Sequence, residues 1–152
     1  MHYSEVKAND VPIALLLEAD PSEHIIRSYL DDSWCFVATL DGQVVGACIA
    51  KTIGTGIAEI FNISVYPEFQ KRGIGSGLLR FSLQALADKK IKRVELSTGT
   101  FGYQLAYYQR AGFRVETVVK DYFLKTYPEP IIENGIQLKD MLRLYISLEP
   151  CP

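Results

Sequence analysis

An apolar, strand-forming run at residues 57–65 stops at Pro67 and gives way to Gln70-Lys71-Arg72-Gly73-Ile74-Gly75-Ser76-Gly77, after which apolar residues recur at helical spacing. Strand, cationic glycine turn and helix must therefore follow one another in the fold. Glycines let backbone N–H groups turn inward and approach a ligand without Cβ interference. The new helix adds partial positive charge at its start, and Lys71 and Arg72 add full charges. Such a turn is built to hold phosphate, so a nucleotide or nucleotide-bearing cofactor is the first ligand to consider.

The known phosphate loops can be compared with these letters. The Gly-x-x-x-x-Gly-Lys-Ser/Thr loop of kinases and GTPases is excluded, because no lysine follows these glycines at that spacing. The dinucleotide fingerprint Gly-x-Gly-x-x-Gly fits poorly: position 78 is Leu78, and Pro67 and the charged pair separate the glycines from the strand. The stretch from Gln70 to Gly75 instead resembles the Gln/Arg-x-x-Gly-x-Gly/Ala signature of the GNAT superfamily, the acyl-CoA-dependent N-acyltransferases. Downstream, Tyr107-Tyr108-Gln109-Arg110-Ala111-Gly112-Phe113 is similar to that family's Leu-Tyr-Glu-Lys-x-Gly-Phe. Upstream, Glu59 stands where several members carry a strand glutamate, 14 residues before Gly73. In order and spacing the match spans roughly residues 34 to 119. It departs where many members place a cofactor-contacting Asn; the corresponding positions here are Phe101 and Gln104.

Size and charge set the outer bounds. A chain of 152 residues has room for one domain, 1–152, and should bury roughly 68–70% of its unfolded surface without metal or disulfide staples. The longest apolar stretch, 44–50, is too short to span a bilayer, and the first five residues lack the start of a signal peptide. A cytoplasmic protein is expected. Cys35, Cys48 and Cys151 are odd in number and widely spaced, which suggests core thiols and no metal site. Sixteen basic against eighteen acidic residues offer no general attraction for nucleic acid or anionic membrane. The basic cluster 89–93 sits where the loop's helix should end, complementing its dipole. His2 and His24 lie away from both motifs and read as surface residues.

Along the chain, weak alternation marks 3–7, amphipathic helices are expected over 11–18 and 22–30, and strands over 35–40 and 44–51 flank an Asp41-Gly42 turn. The strand 57–65 and the loop helix follow. Further on come a strand at 94–98, a helix over 102–111 stopped by Gly112, and strands at 113–119 and 141–148. The last is expected to pair antiparallel with its predecessor, leaving 120–139 as a long connection. Alternating strands and helices suggest a partly parallel sheet with crossover helices, and the resemblance implies a GNAT-like α+β fold, a mixed, partly parallel central sheet flanked by helices on both faces.

The resemblance implies roles that the chemistry can use. Acyl transfer to an amine needs a deprotonated amine, a polarised thioester carbonyl and a proton for the departing thiolate. Glu59 is the implied base, with a strand carboxylate that only faces solvent or a cation as the plain alternative. Ile63, Ser64 and Val65 map to the strand whose backbone holds the oxyanion and the pantetheine amides. Gln70, Lys71, Arg72, Gly73, Ile74, Gly75 and Ser76 map to the pyrophosphate loop. Tyr108 takes the place of the tyrosine near the thioester sulfur, with plain aromatic packing as its alternative. Tyr107 and Tyr108 project about 100° apart on a helix, so one can pack while the other faces the sulfur.

The implied acceptor region covers 23–34 and 122–140, with Asp31, Asp32, Glu129, Glu133 and Asp140 beside Tyr122, Phe123 and Tyr127. Acidic and aromatic groups can hold an ammonium, and solvated loop charges explain the same letters. The expected activity is transfer of acetyl from acetyl-CoA, without a metal, to a primary amine of a small molecule or protein. No nucleic-acid or membrane partner is expected, and a homodimer is compatible with the reading. The rivals are a non-catalytic acyl-CoA sensor and a dinucleotide-dependent oxidoreductase.

Overall fold

A computed structural model describes residues 1–149. The chain divides into two compact units, one from Met1 to Val94 with the chain end from Leu148, the other Glu95–Ser147. Cys151 lies outside the described residues.

The first unit opens with β1 (His2–Val6), α1 (Ile13–Leu16) and α2 (Glu23–Leu30). Pro12 sets the start of α1, which is shorter than the amphipathic run suggests. Ser22 caps α2 by accepting from the Ile25 N–H at 3.2 Å, and Glu23 pairs with Arg27 one turn on at 2.9 Å. β2 (Trp34–Leu40) and β3 (Gln43–Gly54) are joined by Asp41-Gly42, both with positive φ, the geometry that matches strand twist. β4 (Ile57–Val65) runs antiparallel to β3, and the strands lie in the order β1, β2, β3, β4. α3 (Ile74–Asp88) completes the unit.

Strand alternation sends side chains to opposite faces, and here both faces are covered. Cys35, Val37, Ala47 and Ile49 join Leu15, Leu16, Ile26 and Tyr29 in one buried cluster, under α1 and α2. Alternating with them on β2, Phe36 and Ala38 point the other way, Ala38 into a cluster with Val45 and Ile74 of α3 and Phe36 edge-on to Phe81 at 6.2 Å. The broad apolar arc of α3 is thus explained: Leu78, Leu79 and Leu86 are all buried. Each such side chain contributes roughly 1.5–3 kcal/mol by leaving water. Both described cysteines are buried thiols, and burial pushes Cys48 up to about 12. His2 and His24 are exposed.

Gly77, one helical position beyond the phosphate-like letters, has a packing duty. A Cβ there would collide with the Tyr3 hydroxyl and come within 2.8 Å of its ring carbon, so β1 and α3 approach closely only because Gly77 lacks one. Gly77→Ala should therefore destabilise the protein by about 1–3 kcal/mol, as overpacking does. Thermal melts check this, and Tyr3→Phe in the same chain should recover part of the loss.

The second unit holds most of β5 (Arg93–Gly99), then α4 (Tyr103–Arg110), β6 (Arg114–Val119), α5 (Tyr122–Thr126), β7 (Ile132–Glu133), β8 (Ile136–Gln137) and β9 (Met141–Ser147). β6 and β9 are antiparallel, as their alternation predicts. The expected long connection is not featureless. It contains α5, and the β7–β8 hairpin turns on Asn134-Gly135, both with positive φ. Among the described residues no helix is long and apolar enough to cross a membrane.

Candidate functional site

β4 ends in a segment whose two backbone edges differ. The Tyr66 N–H donates to the Val45 carbonyl at 3.1 Å, which fixes the alternation of the ladder. Ser64 opposes Ala47 and turns its carbonyl toward β3, where a Cβ on Gly46 would lie 3.3 Å from it. Ile63 and Val65 consequently turn their N–H and C=O groups away from β3. The Val65 carbonyl instead accepts from Gln70 Nε2 at 2.9 Å, so the loop is tied to the strand that precedes it. Ser64's side chain is also committed, donating to Asn62 Oδ1.

The loop between β4 and α3 is shaped by a single 3-10 turn over Pro67–Phe69, closed by the Phe69 N–H on the Tyr66 carbonyl at 2.9 Å. Lys71 and Gly73 then take left-handed conformations, φ 63° and 78°. Gly73 suits this position because no Cβ opposes positive φ, whereas Lys71 adopts it against the usual preference. Gly73 is also the N-cap of α3, and it has no side chain with which to cap the helix. The first-turn N–H groups and the helix dipole therefore favour an anion. Lys71, Arg72 and Ser76 are exposed there, and the Arg72 guanidinium lies 5.3 Å over the Phe69 ring. Ile74 is different: its side chain is in the core.

Glu59 lies opposite Lys51 in the β3–β4 register and is half-buried. Lys51 Nζ donates to the Asp31 carbonyl at 2.8 Å, drawing the end of α2 toward this pair. Alternation along β3 puts Lys51 and Glu59 on the face of Ile49, the one covered by α1 and α2.

In the second unit, Tyr108 is the buried member of the tyrosine pair, 8% exposed, edge-on to Phe113 at 5.9 Å and beside Tyr107 at 5.1 Å. Gly112 ends its helix with φ 109°, as a glycine stop requires. The aromatic residues of 122–140 pack on one another: Phe123 stacks on Tyr127 at 6.1 Å and meets Tyr122 at 5.4 Å. Asp140 is spent locally, accepting from the Asp121 N–H at 2.8 Å. Sequence reasoning did not find the Arg143 cluster. Arg143 on β9 donates to Glu95 and Ser97 on β5, both at 2.8 Å, and forms a partly buried ion pair. The polar side of β9's alternation was its only signal.

A family model described as an acetyltransferase (GNAT) domain matches residues 31–115. The chain is 36% identical over 143 residues to an uncharacterized N-acetyltransferase of Bacillus subtilis (strain 168), covering 93% of this chain and 92% of that one. Among solved structures, it is similar to an IAA acetyltransferase from Bacillus cereus ATCC 14579, with TM-score 0.92, 38% identity, and 97% and 99% of the two chains covered. It is equally similar in fold to a GNAT family acetyltransferase from Elizabethkingia anophelis with acetyl-CoA bound: TM-score 0.92, 35% identity, and 97% of each chain covered.

Proposed function

The chain belongs to the GNAT family of acetyltransferases, and from that membership and the loop geometry we propose that it transfers acetyl from acetyl-CoA to a primary amine by direct attack in a ternary complex. The observation that carries the proposal is the glycine start of α3, where left-handed Lys71 and Gly73 turn the chain into the helix and Gln70 ties the loop to the end of β4. The backbone N–H groups of Gly73, Ile74, Gly75 and Ser76 are the seat for pyrophosphate, with Lys71, Arg72 and the Ser76 hydroxyl at its rim. Ile63 and Val65 face away from β3 and can bond the pantetheine amides as an added strand does. Ser64 supports them through its side chain.

The amine nitrogen attacks the thioester carbon, forming the C–N bond, and the carbonyl oxygen gathers negative charge that a backbone N–H of this segment stabilises. Before that attack Glu59 takes one proton from the ammonium, which frees the nitrogen lone pair, and the nitrogen loses its second proton as the intermediate collapses, making good through solvent the one that Tyr108 gives up. The C–S bond then breaks, and Tyr108 gives its phenolic proton to the thiolate. A free thiol titrates near 8.5 and a phenol near 10, so the transfer is chemically reasonable. Asp31 and Asp32, and separately Glu129 and Glu133 with the aromatic residues near them in sequence, are the proposed recognition elements for a cationic acceptor, on a small molecule or a protein.

CoA should raise the melting temperature by mass action, about 2.7 kcal/mol of stabilisation at one hundred times its Kd. Pantetheine, which lacks the pyrophosphate, should stabilise far less. Gly75→Val should erase the difference by keeping the backbone from the phosphates. Equal stabilisation by CoA and pantetheine in a thermal shift assay would remove the loop from the site, and protection by NAD(P) instead of CoA would favour an oxidoreductase.

A further inference from the structure

Immediately before Ile63, the β3–β4 ladder slips: Ile49 opposes Asn62 while Ala50 opposes Ile60, and Phe61 is the extra residue of a bulge. Side chains from the N-terminal segment grip both residues of that bulge. The Tyr29 ring stacks on Phe61 at 5.1 Å with an interplanar angle of 18°. Asn62 is buried, and its Nδ2 donates to the Tyr29 hydroxyl at 3.0 Å and to the Leu16 carbonyl at 2.9 Å. Its Oδ1 accepts from Ser64 Oγ. The Tyr29 hydroxyl in turn donates to Asp20 Oδ2 at 3.3 Å, and Asp20 Oδ1 accepts the N–H of Ser22, the cap of α2.

These bonds all run one way, from Ser64 through Asn62 and Tyr29 to a carboxylate, an arrangement in which each bond polarises the next. Burial raises the Tyr29 phenol far above its ordinary value, so it stays protonated and keeps donating. A bulge re-aims the strand beyond it. In this chain the strand beyond it is Ile63 to Val65.

We propose that Tyr29 and Asn62 are positioning residues for acetyl transfer: through the bulge they fix the direction in which Ile63 and Val65 present their backbone N–H groups, and so couple the α1–α2 segment to the cofactor strand. The proposal rests on the acetyl-transfer reading for its catalytic half.

Tyr29→Phe tests it, because it keeps the ring on Phe61 and removes only the hydroxyl. Hydrogen exchange of a peptide covering 60–66 should quicken about tenfold, while β2 is unchanged. The turnover number should fall at least tenfold with an unshifted pH profile, since a displaced oxyanion donor costs roughly 10²–10³ when lost outright, and KM for acetyl-CoA should rise with it because the same strand bonds the pantetheine amides. Ser22→Ala, which deletes the α2 cap without touching Asn62, should lower the melting temperature and leave turnover intact. Unchanged exchange at 60–66 overturns the positioning role, and altered exchange with unchanged turnover overturns its catalytic consequence. An equal turnover loss in Ser22→Ala would reduce the effect to general stability. Exchange is read without cofactor or acceptor, so a wild type that transfers no acetyl group overturns the acetyl-transfer reading while the exchange result still decides whether Tyr29 holds the bulge.

Discussion

Tyr108→Phe should lower the turnover number by about 10²–10⁴-fold, the usual worth of a positioned general acid. The substitution keeps the ring, and with it the contacts to Phe113 and Tyr107, so acetyl-CoA affinity and the melting temperature should hardly move. The prediction is sharp because Tyr108 is the buried tyrosine of the pair, where aromatic packing competes directly with acid catalysis as its reason for being there. Steady-state kinetics with a pre-steady-state check that chemistry limits turnover would separate the two. Wild-type turnover in the mutant assigns Tyr108 to packing.

Glu59→Gln should cost a similar factor at neutral pH, and its signature is in the pH dependence. An alkylamine titrates near 10, so at neutrality nearly all of it carries the proton that Glu59 is proposed to accept. As pH approaches the acceptor's own pKa, neutral amine becomes abundant and the need for a base fades. Mutant activity should therefore recover partly at high pH while the wild type changes less, with cofactor affinity the same throughout. Parallel pH–rate profiles, or a defect confined to CoA binding, would show that Glu59 is not the base. Lys51 opposite it in the ladder then offers the plainer role of a cross-strand charge pair.

What the sequence made legible follows from how local each signal is. β4 could be bounded at Ile57 and Val65 because alternation and Pro67 are written in consecutive letters, and Ser22 marked α2 by cap chemistry that needs only its next few residues. The turn before α3 was legible for the same reason: the glycines and cations that shape and charge it stand in consecutive letters. The packing duty of Gly77 was not, because Tyr3 approaches from the far end of the unit. Tyr29 and Asn62 are 33 positions apart, and Arg143 and Glu95 are 48 apart. No local pattern announces such pairs. The β7–β8 hairpin was a different kind of omission, since Asn134-Gly135 is a strong turn signal, but each flanking strand is only two residues long and gives alternation nothing to register. α5, at five residues, is likewise too short for a helical period to show.

The central claim is acetyl transfer to an amine, and the most direct measurement is release of CoA thiol from acetyl-CoA across a panel of primary amines and peptide N-termini. The account predicts amine-dependent release that saturates with acetyl-CoA, matched mole for mole by acetylated amine, and lost in Gly75→Val together with the extra protection that CoA gives over pantetheine. Tight acetyl-CoA binding with no release above the amine-free background, across acceptors of both classes, would contradict it and leave a sensor of acyl-CoA in its place.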